Sequence, residues 1–171
     1  MTSSRIEDMK PENIRRHLSL AGLILLSFEL VKKLVIVRVK KFYANTVFGP
    51  GMPFKTYEDD VLSRHRDVFE ASLLYLRDHF EAISADEMNA IQELRKYRNR
   101  IAHELPQLIL DMDAAQNELM LIKARACLFR LSNFWAYIDV GADPDFRDID
   151  WGTIAGGDLM LLDQIIEQMT A

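Results

Sequence analysis

Cysteine is nearly absent from this chain: Cys127 stands alone among 171 residues. One thiol cannot close an internal disulfide, and no Cys/His cluster has zinc-ligand spacing, so neither a disulfide framework nor a metal is expected. Cys127 sits inside an apolar helical pattern and reads as a small buried side chain in a reducing, cytoplasmic setting. Seven glycines and five prolines are too few for a turn-rich all-β fold. No apolar run is long. The stretch from Leu18 to Val31 contains Glu29 and is closed by Lys32 and Lys33, short of the roughly 20 residues that span a membrane. It reads as a core helix, with no membrane partner. The opening MTSSRIEDMKPEN is polar and mixed in charge, unlike a signal peptide. No Gly-rich phosphate loop, nucleophile elbow or internal repeat occurs, and no cofactor is expected.

What is present is enough apolar content, 49%, to bury one core, with no room for two ordinary domains. The net charge of −5 hides a division. Residues 1–103 carry 17 Lys/Arg against 14 Asp/Glu, whereas residues 104–171 carry 4 against 12.

Ile14, Leu18, Ala21, Leu25, Phe28, Lys32, Val35, Val39 and Phe42 alternate spacings of three and four, predicting a helix over about 12–43 with Pro11 in its first turn. The β-branched run Val35-Ile36-Val37 lies within that spacing. Gly49, Pro50, Gly51 and Pro53 place a loop at 44–55. Thr56 is the expected N-cap of a second helix with the stripe Leu62, Phe69, Leu73, Leu76, Phe80 and Ile83. Ser84 and Glu87 form a capping-box signature for a third helix, which Pro106 is expected to end or kink by about Leu105. Asp111 or Asp113 caps a fourth helix reaching about Val140, with the seam Leu121, Ala124, Leu128, Leu131, Trp135 and Ile138. A second line, Leu119, Ile122, Ala126 and Phe129, suggests burial over a wide arc. Gly141 and Pro144 punctuate its end, and a short helix follows near Asp158–Met169. The expected architecture is an all-α, four-to-five-helix up-down bundle over 11–140. Residues 141–171 form an acidic extension whose short helix packs on the same domain.

The third helix puts Ile91, Leu94, Arg98 and Ile101 on one stripe. A guanidinium among apolar neighbours needs an anion. Glu29 of the first helix is the candidate within the protein, and a phosphate is the candidate outside it. His103 lies five residues on, about 140° around an ideal helix, so the two side chains diverge unless the helix loosens before Pro106 or a second subunit completes the site. The alternative is an interior Arg–Glu pair beside a histidine at the negative end of the helix.

Residues 91–104, IQELRKYRNRIAHE, resemble the signature of the HEPN superfamily, including its LRxxRNxxAH-type members. In that family an Arg, a polar residue, three further residues and a His form an R-x4-H motif on a helical bundle. A bare R-x4-H match arises roughly 0.3 times by chance in a chain of this composition, and requiring Asn after the Arg lowers that to about 0.01. The resemblance implies metal-independent endoribonuclease activity at a homodimer interface, or RNA binding without cleavage, often in toxin–antitoxin or phage-defence systems. It implies that Arg98 holds the scissile phosphate, that Asn99 orients a reacting group, and that His103 transfers a proton. An ordinary imidazole pKa of about 6.5 suits that last role. An antitoxin protein is the further partner it implies. Some family toxins carry a Tyr two residues after the His, where an antitoxin modifies them; here that position is Leu105. The competing class is a non-enzymatic dimerisation or scaffold bundle in which Arg98 is a structural ion-pair partner.

Lys32, Lys33, Arg38, Lys40, Lys41, Arg64, Arg66, Arg95, Lys96 and Arg100 are either a phosphate-tracking surface or solvated helix faces. Tyr97 is either a base-stacking ring or a packing side chain. The apolar arcs of the first and fourth helices exceed what a four-helix core needs, which predicts a homodimer. Eight Asp/Glu between residues 139 and 167, against Arg147 alone, are either a solubilising tail or a competitor for RNA lying on the basic third helix.

Overall fold

The computed structural model describes residues 10–45, 55–111 and 113–170, and every regular element among them is helical. The long first helix begins as α1 (Pro11–Lys32), opens into a π turn (Lys33–Val37) and resumes as α2 (Arg38–Asn45). A single-turn α3 (Tyr57–Asp60) and a 3₁₀ turn (Leu62–Arg64) lead into α4 (Val68–Asp78). The two longest helices follow, α5 (Ala85–Asp111) and α6 (Ala114–Val140), and two short 3₁₀ turns precede α7 (Gly157–Thr170). The arrangement is an all-α helical bundle. The loop expected at 44–55 falls mostly outside the described residues, and no described helix is long and apolar enough to cross a membrane.

α1 lies against both α5 and α6, while α7 packs on α6 and α1. The buried face of α1 runs through Ala21, Ile24, Phe28 and Val31, and Val35 and Val39 extend it past the π turn. Leu18, expected in that stripe, is instead 45% exposed. α5 contributes Met88, Ile91, Leu94 and Ile101, α6 contributes Ala124, Leu128, Leu131 and Trp135, and α7 adds Leu159 and Leu162 to the same core.

Three further expectations change. The second helix is not continuous from Thr56. Thr56 does cap a first turn by accepting from Asp59 N, but Asp67 then caps a new helix by accepting from Glu70 N at 3.0 Å. A second capping side chain, this time a carboxylate, offers the backbone a fresh start, and the chain takes it. Pro106 does not end α5, which continues to Asp111. Ala102, whose carbonyl a proline cannot pair, is exposed, so water can take the freed acceptor. Finally, the second apolar line of α6 is open: Leu119 is 54% exposed and Ile122 65%.

The π turn coincides with the β-branched run. Its wider winding carries a hydrogen bond from Arg38 N to Lys33 O, and the Trp135 indole donates to Leu34 O at 2.9 Å. Arg38 lies 5.1 Å over the Trp135 ring and pairs with Asp139.

Candidate functional site

α5 is started by the reciprocal cap that Ser84 and Glu87 announce: Glu87 N donates to Ser84 Oγ at 3.1 Å, and Ser84 N to Glu87 Oε2 at 2.6 Å. With that start, the 3.6-residue repeat turns Ile91, Leu94 and Ile101 inward. Arg95 and Arg98 fall at the edge of the buried stripe, and Lys96, Asn99, Arg100 and His103 face outward.

Arg98 reaches Glu29 on α1, Nη2 to Oε1 at 2.8 Å. Its Nη1 donates to Asn99 Oδ1 at 3.3 Å, and its guanidinium carbon sits 5.5 Å from the centre of the Phe28 ring. The Nε of Arg98 is buried with no acceptor, so the guanidinium is incompletely satisfied. The side chain keeps 30% of its surface exposed and Glu29 keeps 46%. The pair is therefore open to solvent, and its stabilising value lies in the surface range of about 0–1 kcal/mol.

Arg95 repeats the arrangement one turn earlier. It pairs with Asp67 through Nη2 to Oδ2 at 2.8 Å and lies 5.1 Å over Phe69. Phe28 and Phe69 are themselves in contact at 5.6 Å. Two arginines of α5 thus flank one aromatic pair and tie the helix to α1 and to α4. Arg95 and the Glu70 amide hold the Asp67 carboxyl below the usual carboxylate range.

His103 is exposed and makes no hydrogen bond or ion pair among the described residues. Arg98 and Asn99 are thus in contact, whereas His103 lies apart, displaced along the helix by roughly 7.5 Å and about 140° around it. One copy does not bring Arg98 and His103 onto a common point. Among the described residues no His, Cys, Asp and Glu side chains cluster as a metal site would require.

Tyr97 is a packing residue. It is 7% exposed, its hydroxyl donates to Asn117 Oδ1, and burial raises its pKa. Asn117, fully buried, was not singled out by sequence; its position four residues after the capping Asp113 was the available signal, since Asn117 Nδ2 donates to Asp113 O at 2.8 Å. Of the basic side chains proposed to track phosphates, Lys32, Lys33, Arg38, Arg64, Arg95 and Arg100 each face a carboxylate. The acidic end does not lie on the third helix. Asp158 pairs with Lys33 at 2.7 Å and Asp163 with Arg125 at 2.6 Å, placing these carboxylates on the π turn and α6. The packing of Leu159 and Leu162 fixes α7 there.

Between α5 and α6, beside the motif, a cleft of about 340 Å³ is floored by Tyr97, Leu119 and Met120 and edged by Lys96, Arg100 and Lys123. No family model, no curated protein and no solved structure matches this chain.

Proposed function

We propose that this chain is a metal-independent endoribonuclease of HEPN type, acting in the cytoplasm as a homodimer whose two copies share the cleavage site. The observation that carries the reading is His103: an exposed imidazole with no structural partner among the described residues, one helical turn beyond an Arg–Asn contact. The buried Nε of Arg98 without an acceptor adds support, because a purely structural arginine is ordinarily satisfied.

The chemistry is an internal transfer. The 2′-oxygen of the RNA attacks the adjacent phosphorus as the bond from phosphorus to the 5′-oxygen breaks. The 2′-proton leaves to a base, and the departing 5′-oxygen receives a proton, giving a 2′,3′-cyclic phosphate and a 5′-hydroxyl end. Arg98 stabilises the charge developing on the phosphoryl oxygens. His103 moves a proton, and Asn99 orients Arg98 or a phosphate oxygen. The divergence of Arg98 and His103 on one helix makes the partner's His103 the one that meets Arg98. A toxin or phage-defence setting with an antitoxin partner belongs to the same reading.

The second reading, a non-enzymatic dimerisation or scaffold bundle, rests on the Arg98–Glu29 contact at 2.8 Å and its likeness to Arg95–Asp67. One experiment separates them. Cleavage of RNA is followed with EDTA present for the wild type, His103→Ala and Arg98→Lys, alongside thermal melts. The ribonuclease reading expects a cyclic-phosphate product, at least a hundredfold loss in both variants, and melts within a few degrees of the wild type. No cleavage by wild type, or full cleavage by His103→Ala, overturns it and leaves the scaffold reading.

A further inference from the structure

Along the first half of α6 the outward apolar positions among the described residues are Ala115, Leu119, Ile122 and Ala126, well apart from the exposed Tyr137, Ile138 and Val140 at its end. Their spacings of four, three and four place them on one face of the helix. Isolated exposed apolar residues are ordinary, but four in helical register form a contact surface. Ile122, at 65%, is the most open large apolar side chain among the described residues.

The stripe reads the same from either end: small, large, large, small. A two-fold axis midway between Leu119 and Ile122 would therefore set an antiparallel copy in register. Leu119 would meet the partner's Ile122, and Ala115 would meet the partner's Ala126, each contact occurring twice. The alanines let the helix ends approach while the central pair supplies apolar area.

The charges obey the same symmetry. Glu118 and Lys123 are equidistant from that midpoint, so each Glu118 would face the partner's Lys123. Within one copy Glu118 pairs with Arg16, and Lys123 Nζ lies 3.1 Å from Glu93 Oε2. The antiparallel dimer would thus string Arg16, Glu118, the partner's Lys123 and the partner's Glu93 in alternating sign. A parallel pairing would set Glu118 against Glu118 and Lys123 against Lys123, and like charges disfavour it. The cleft floored by Tyr97 and Met120 opens beside the stripe and offers room for an aliphatic side chain of the facing helix.

We infer that a second copy of this chain docks on α6, antiparallel, with its centre between Leu119 and Ile122. The contact stands on the α6 stripe and its charges alone; it deepens the preceding reading by naming the face through which the two motifs are joined.

Sedimentation of the full chain at micromolar concentration tests it. The wild type is expected as a dimer and Ile122→Asp as a monomer with unchanged far-UV circular dichroism, because the side chain is in solvent in one copy. Register is tested by mixing Leu119→Cys with Ile122→Cys under oxidised glutathione. The mixed species should crosslink several times faster than either variant alone. Native Cys127 does not compete, since it is 4% exposed and its thiol is pushed up to about 11 by burial. A monomeric wild type, a dimeric Ile122→Asp, or equal crosslinking in all three samples overturns the inference. RNA cleavage assayed in the same samples keeps the two ideas apart. A cleaving Ile122→Asp monomer removes the shared site and leaves the interface standing, whereas a cleaving Ile122→Asp dimer removes this interface and leaves the ribonuclease.

Discussion

Asp67 shows how much a single side chain can be asked to do. It caps α4 through the Glu70 amide and holds Arg95 of α5, so it joins two helices at their shared corner. Losing both functions in Asp67→Ala is expected to cost about 1–2 kcal/mol, mostly from the cap. Asp67→Asn keeps a good capping group and should cost less, because a partly exposed ion pair contributes under about 1 kcal/mol. Arg95 and the Glu70 amide depress the folded-state pKa of Asp67. Its contribution is therefore present above the unfolded carboxylate value of about 3.9 and lost as pH falls through the lower folded value. Melting wild type and Asp67→Asn across pH 7 to 3 should show a difference that is largest near neutrality and closes in acid. A gap that widens as pH falls would contradict this account.

At the scale of elements, the π turn is the piece that joins two stretches of helix in the register the core needs. Inserting one alanine after Ile36 would add a residue that the turn cannot also absorb and would rotate everything after it by about 100°. Val39 would then leave the core, Arg38 would leave Trp135, and Tyr43 would lose Asp60, now 2.7 Å away. We expect a loss of roughly 3–5 kcal/mol, read as a lower urea midpoint. A neutral insertion would mean that this register is not needed.

Much of this layer was legible in the residues. The caps at Thr56, Ser84 and Asp113 announce three helix starts, and the seam from Ala124 to Trp135 is buried as its spacing implies. The Glu29–Arg98 contact followed from charge alone, since an arginine on an apolar stripe requires an anion within reach. The π turn was not legible, because periodicity of three and four absorbs one extra residue without a visible break. The break before α4 was hidden for a related reason: Leu62 and Phe69 keep a helical spacing across a stretch that is not helical, and only Asp67 with Glu70 marks the restart. For the candidate site, identity and exposure could be read along the chain. The separation of Arg98 from His103 was a matter of helix geometry, and the exposed face of α6 was not legible because spacing alone put Leu119 and Ile122 on a buried arc.

Across the whole molecule, the acidic end is a structural participant. Leu159 and Leu162 lie in the common core, Asp158 and Asp163 pair with Lys33 and Arg125, and Asn133 Nδ2 donates to the backbone carbonyls of Trp151 and Ile154. Truncation after Gly141 should therefore destabilise the bundle by about 3–6 kcal/mol from the two leucines alone. Chemical denaturation measures this. A truncated chain as stable as the full one would show that α7 is dispensable.

The two tryptophans divide these regions between them. Trp135 is 3% exposed and bonded to the π turn, while Trp151 is half-buried with Tyr137 at 5.3 Å. An indole in a dry, hydrogen-bonded setting emits to the blue of one that meets water, so the protein carries two native optical reporters. Release of the C-terminal segment would shift the Trp151 component most, and loss of the π turn would shift that of Trp135. Single replacements of either ring by Phe would assign each band, and the order in which the bands move on heating would tell which part of the bundle lets go first.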